Sequence, residues 1–211
     1  MQYFSIDEIK GWERFYRANF INSLQGFKPV SLLGTVSENG IPNLAIFSNI
    51  VHIGADPALI GFINRPIEAA PHTIQNIKLS GEFTINHIQP SFVAAAHQTS
   101  AKYSTDQNEF LETGLKTFYL ENFKAPFVFE SEIKYGLDLV EIVPITHNNT
   151  FLVIGSVKHV LLKEGLIQQD GFIDANKAQS ITSLGLDGYY STEPIARFEY
   201  AKPGKELKKI I

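Results

Sequence analysis

The chain has 211 residues, 44% hydrophobic and 19% charged, the composition of a folded protein with enough apolar mass for a sizeable core. Its formal charge of -4, with one basic cluster at Lys202, Lys205, Lys208 and Lys209, argues against a nucleic-acid surface, which needs cations ranked along a phosphate run. The sequence has no cysteine, which excludes disulfides, iron–sulfur clusters, thiolate zinc sites and a cysteine nucleophile, so redox chemistry would need a borrowed cofactor.

The first eight residues show neither a basic leader nor an apolar run, and no later stretch suits a bilayer, so a cytoplasmic protein without membrane partners is expected. Apolar positions at Trp12, Phe15, Tyr16, Phe20, Ile21 and Leu24 fall on one helical face, predicting a helix over about 12–24 that Gly26 stops. Residues 31–36 read as a strand, Asn39-Gly40 as a turn and 42–47 as the returning strand. Residues 49–53 could pair next, and after Asp56-Pro57 the run 58–63 is apolar enough for burial on both faces.

Arg65 then sits in a loop before a short helix, and Thr73 is placed to cap it, with Asn76 three residues on. Free N–H groups at such a start carry the positive end of the helix dipole, and the Arg65 guanidinium can hydrogen-bond two phosphate oxygens at once. The same pattern also describes an ordinary strand–loop–helix joint with a solvated Arg. The helix ends near Gly81, and 82–88 alternates like a half-buried strand. A short helix over 91–99 follows, then a turn-rich stretch, 101–129, in which Phe110-Leu111 and Phe118-Tyr119-Leu120 are the expected apolar anchors. Two strands, about 132–145 and 150–162, make a long hairpin around His147-Asn148-Asn149. Beyond it come a turn at 169–171, a short segment over 174–179, a last β-prone stretch at 195–200 and a tail over 201–211.

Many strands with short helices and no regular βα alternation predict a mainly β fold, a Greek-key or partly open barrel, in one domain over 1–211. The six histidines have no close ligand spacing, so no metal site is expected. Nucleophile-elbow, phosphate-loop and dinucleotide-binding glycine motifs are all missing. Polar residues that remain at strand ends and helix starts include Asn43, Ser48, Asn64, Arg65, His72, Thr73, Asn86, His97, Thr99, Ser100 and Lys102.

The segments 28–36, 39–45 and 56–62, followed by Gly81-Glu82-Phe83-Thr84-Ile85-Asn86, Thr99-Ser100-Ala101, Lys124-Ala125-Pro126, 139–142 and 152–157, together resemble the flavin reductase-like FMN-binding split-barrel family. The order of these segments carries the likeness, which runs from about residue 27 to residue 190. The resemblance implies non-covalent FMN at the edge of a barrel in a homodimer, with NADH or NADPH as electron donor. Carried over by position, it sets Asn43, Leu44, Ala45, Ile46, Phe47 and Ser48 along the flavin ring. Asn64, Arg65, His72 and Thr73 fall at the phosphate, with Asn86, Thr99, Ser100 and Lys102 as further cofactor contacts. For 43–47 a plain core strand is an equal alternative, and for Thr99 and Ser100 a solvated helix end. Many relatives carry Lys or Arg, then Asp and Thr, where this chain has Pro71-His72-Thr73. His72 offers less fixed charge than Lys, which moves weight onto Arg65 and the Thr73 amide.

The activity so implied is hydride passage from NAD(P)H through FMN to flavin, oxygen or another acceptor, with no conventional acid–base residue required. The alternatives are a non-catalytic FMN carrier, sensor or electron shuttle, and an oxidase of the pyridoxamine-phosphate type. The last would want extra basic residues for a second phosphate, and they are absent. Tyr189 and Tyr190 either cover the ring or pack.

Overall fold

In the computed structural model, which describes residues 1–210, the chain opens with two helices, α1 (Ile6–Lys10) and α2 (Arg14–Ser23). The helix expected over 12–24 is α2. It starts at Arg14 because the Glu13 carboxylate accepts from the Phe15 and Tyr16 N–H groups. No residue of α2 is buried. Its apolar stripe instead joins Phe4 and Trp12 in a cluster of edge-to-face rings with Tyr16 and Phe20.

Next come β1 (Lys28–Pro29), β2 (Ser31–Val36) and β3 (Pro42–Phe47). The β2–β3 hairpin turns where expected, with Gly40 taking the left-handed backbone at φ +75°. After β4 (Ile50–Ala55) and β5 (Ala58–Asn64) the chain enters α3 (Pro71–Ser80) and returns as β6 (Glu82–His87). A 3-10 turn, Pro90–Phe92, runs into α4 (Val93–Gln98), which resolves the helix expected over 91–99. The turn-rich stretch holds α5 (Glu109–Thr113), β7 (Thr117–Phe118) and β8 (Phe127–Val128). Of its expected anchors Phe110 is buried, whereas Leu111 and Tyr119 are exposed. The long hairpin is β9 (Ile133–Ile145) and β10 (Thr150–Leu162), and β11 (Thr182–Leu184) with β12 (Gly188–Tyr190) completes the strands.

The stretch expected as a strand over 195–200 forms none. It makes a single bridge, Phe198 to Lys209, and Ile195 and Tyr200 stay exposed. Of the expected tail over 201–211, Ile211 lies outside the described residues.

Seven strands form one antiparallel sheet in the order β3-β2-β6-β9-β10-β5-β4. Strands β3 and β4 are therefore opposite edges, yet only Ser48 and Asn49 separate them in sequence. In a flat sheet those edges would lie about 29 Å apart, whereas the link from Phe47 to Ile50 spans at most about 11 Å. The sheet must curl until its edges meet at that link, which makes a barrel left open along the β3–β4 seam.

Inside the curl sit Leu33, Phe62, Phe83, Ile85, Leu137 and Val153, joined by Ile74 and Ile77 of α3. Outside β2 and β3 lies a second core, with Leu32 and Leu44 packed against Phe92 and Ala96 on the α4 side and Phe110 of α5. Strand β6 was expected to be half-buried, but Phe83 to Asn86 are all buried. Its outer face is covered by the segment before β8: Thr84 Oγ1 donates to Pro126 O at 2.6 Å, and Asn86 Oδ1 accepts from Val128 N at 2.9 Å. Strand β5 departs the other way: Ala58 is exposed and Leu59 and Ile60 are half-buried, with full burial only at Gly61, Phe62 and Asn64.

Gly34 of β2 marks the tightest crossing. A Cβ there would run into Pro126 O and Thr84 Oγ1. Gly34→Ala should lower stability by about 1–3 kcal/mol or more, read as a lower urea midpoint at unchanged slope.

Candidate functional site

The polar end of the seam is organised by α3. Thr73 does not cap this helix as expected. Pro71 occupies its first turn, the N-cap is Ala70, and no side chain caps it. Proline suits that position because its fixed φ is helical and it lacks the N–H that would go unpaired. The helix start thus leaves backbone donors at His72 and Thr73 with no side-chain acceptor. Thr73 is instead buried, third in the helix, with its hydroxyl turned toward Asn43 Nδ2 at 3.5 Å.

Thr35, in β2, holds this end together. Its hydroxyl oxygen accepts from Asn43 Nδ2 of β3 and from Asn76 Nδ2 of α3, each at 3.1 Å. All three residues are buried, so the clasp fixes the helix start against the hairpin. Beside it a small cavity of about 60 Å³ is lined by Asn43, His72 and Asn76 and faced by Ser104, Thr105 and Gln107. Asn43, His72 and Asn76 are expected here from the sequence, whereas Thr35 and the loop residues 104–107 are not. A run of Ser, Thr and Gln in a polar loop gives no signal of which surface it will face.

Asn64, at the end of β5, shapes the Arg65 loop. Its Nδ2 donates to Arg65 O at 2.8 Å and to Ala70 O at 3.2 Å, so one amide ties the base of Arg65 to the cap of α3. Arg65 is exposed and, among the described residues, has no carboxylate partner. Asn64 Oδ1 is buried with no partner, and so is Oδ1 of Asn49, whose Nδ2 donates to Ile63 O at 2.9 Å. Both orphaned atoms are acceptors and call for a donor such as a hydroxyl or ring N–H.

Strand β3 forms one wall of the seam. Phe47 packs inward, 4.9 Å from Phe62 ring to ring, while Leu44 and Ile46 face the outer core. The free side of β3 is met by α5, where buried Glu109 accepts from Leu44 N at 3.1 Å. Burial pushes the Glu109 carboxyl above its ordinary range, partly opposed by the backbone hydrogen bonds it accepts. Glu109 was not anticipated, because an acid in a short surface-like helix gives no sign of burial.

Three expected contacts are engaged elsewhere. Asn86 is fully buried, its Nδ2 donating to Leu32 O and Thr84 Oγ1 and its Oδ1 holding Val128, so it secures the wall from behind. The Thr99 hydroxyl is buried and donates to Ala96 O at 2.7 Å, closing the end of α4. Leu44 offers only backbone. Ser100 and Lys102 are exposed past α4, and Ala45 and Ser48 are half-buried on the seam. Tyr189, of β12, meets His97 of α4 with Oη 2.7 Å from Nδ1, and Tyr190 packs on Phe27. Both tyrosines therefore pack, and Tyr189 does so on the outer core that lies against β3.

The partly open antiparallel barrel places the chain in the split-barrel class. Residues 27–179 match the family described as flavin reductase like domain, and this chain belongs to that family. Among solved structures it is similar to a candidate flavin reductase with a split-barrel domain from Shewanella frigidimarina NCIMB 400. That likeness is at 44% identity over 95% of this chain and 100% of the other, with TM-score 0.92. Nitrilotriacetate monooxygenase component B from Bacillus cereus shares the fold, at 23% identity over 95% and 98% of the two chains and TM-score 0.81. So does an FMN-binding protein from Thermus thermophilus, at 18% identity over 78% and 86% and TM-score 0.63.

Thr35→Val would leave the Asn43 and Asn76 amides without their shared acceptor. The expected loss is about 2 kcal/mol or more of stability, measured by chemical denaturation.

Proposed function

We propose that this chain is an FMN-dependent NAD(P)H oxidoreductase that works as a flavin reductase. The observation that carries the reading is the uncapped start of α3 beside the unpaired Arg65, tied together by Asn64, in a chain of the flavin reductase family. Backbone donors at His72 and Thr73 and the planar fork of Arg65 suit a phosphate dianion. Asn64 Oδ1, a buried acceptor, suits a sugar-like hydroxyl rather than a phosphate oxygen. A flavin mononucleotide offers both groups, and similarity to an FMN-binding protein supports the choice.

FMN, when bound, supplies the hydride and electron chemistry. The protein's share is binding and orientation. Arg65, His72 and Thr73 anchor the phosphate, the β3 edge lies along the ring, and the Ile46 N–H is available to its polar edge. Ser100 and Lys102, exposed past α4, would add further donors. A homodimer in the cytoplasm belongs to the same proposal. Exposed Phe15, Leu24 and Phe27 near the chain start and Val140 and Val160 on the long hairpin offer apolar surface for a second copy. No described helix is long and apolar enough to cross a membrane.

Arg65→Ala should weaken FMN binding by the worth of one charge-assisted contact, about 1.5–3 kcal/mol, and leave riboflavin binding nearly unchanged. Titration of both ligands by fluorescence checks this, and equal losses would remove Arg65 from the phosphate site. Anaerobic mixing of the FMN-loaded protein with NADH or NADPH should bleach the bound flavin rapidly. A colour that persists for many minutes would instead favour a carrier or electron shuttle.

A further inference from the structure

Strand β3 is an edge strand, hydrogen-bonded only to β2. In an antiparallel pair, alternate residues point both backbone groups toward the partner and the others point both away. Leu44 N–H bonds Glu109, so the outward set is Pro42, Leu44 and Ile46. Pro42 has no N–H, which leaves two outward donors on the whole strand, and Glu109 occupies one of them. What the edge still offers is a single N–H, at Ile46, flanked by the carbonyls of Leu44 and Ile46.

Glu109 is built into this position. Asn108 Oδ1 accepts from Phe110 N at 3.0 Å to start α5, Thr113 Oγ1 donates to Glu109 O at 2.6 Å, and Phe110 is anchored in the outer core. Among the described residues no cation lies within ion-pair reach of the carboxylate. A neutral glutamine could accept the same N–H without the cost of burying charge, so the hydrogen bond alone does not account for an acid here.

We propose that Glu109 is a positioning residue: its carboxyl group locks the outward edge of β3 so that one backbone donor, at Ile46, is presented to the flavin, and when ionised it sets a negative charge beside that edge. The inference rests on the flavin reading of the seam. A negative charge near a flavin disfavours the gain of negative charge on reduction, so ionised Glu109 would hold the midpoint potential of bound FMN low and make the reduced form a stronger donor.

The test uses Glu109→Gln and Glu109→Ala. In the apoprotein, amide exchange followed by NMR should show the Leu44 N–H protected in wild type and in Glu109→Gln, and exchanging roughly tenfold faster or more in Glu109→Ala. With FMN, Glu109→Gln should bind within about threefold of wild type but show a more positive midpoint potential, whereas Glu109→Ala should bind roughly tenfold more weakly. An unchanged potential in Glu109→Gln would overturn the charge role, and unchanged Leu44 exchange in Glu109→Ala would overturn the positioning role. Failure of the wild-type protein to take up FMN would overturn the flavin reading and the charge role with it. The exchange measurement would still decide separately whether Glu109 locks the strand.

Discussion

The architecture hangs on the two-residue connection at Ser48 and Asn49. Because it joins the two outermost strands of a seven-stranded sheet, the sheet has no freedom to lie flat, and its edges meet without hydrogen-bonding along their length. Asn49 reinforces the bend through its hydrogen bond to Ile63 O on β5, beside the far edge. The rest follows from this closure. The inner face becomes a dry core filled by Phe62, Phe83 and Leu137, while the seam keeps an unpaired strand edge, which proteins ordinarily cover or blunt. Here it is blunted by Pro42 and by Glu109, and the part left over is where a flat ring would fit.

Chemistry is graded along the seam. At one end the α3 start, Arg65 and the Thr35 clasp concentrate donors and buried amides. At the other, β3 offers a backbone edge at Ile46, backed by the outer core into which Leu44 and Ile46 pack. A molecule with an anionic tail, a hydroxylated middle and a planar head meets this order in sequence. The hydroxylated middle would fall near the orphaned acceptor of Asn64. The amides, hydroxyls and backbone groups along the seam are donors and acceptors suited to holding a cofactor that brings its own reactivity.

Much of this was legible in the chain because it rests on local rules. The Asn39-Gly40 turn, the long hairpin over 133–162 and the Gly81 helix end are set by turn chemistry and alternation, and the order of short motifs pointed to the family. What escaped was decided at a distance. Thr73 looked like a cap, but Pro71 two residues earlier already starts the helix, and the Thr73 side chain is drawn to β3. Asn86 looked like a strand-end ligand, but a segment some forty residues on covers it and uses its amide. Thr35 and Glu109 carried no local signal at all, since their roles exist only once β2, β3, α3 and α5 are assembled. The stretch over 195–200 has β propensity but makes only the Phe198–Lys209 bridge.

In the proposed binding mode one ligand lies along the seam, with its phosphate at the start of α3 and its ring on the free edge of β3. A crystal structure of the protein grown with FMN tests it most directly. Phosphate oxygens should be hydrogen-bonded to Arg65 and to the His72 and Thr73 amides, with the ring's polar edge at the Ile46 N–H. FMN bound with its phosphate away from α3, or a seam that stays empty at saturating FMN, would contradict it.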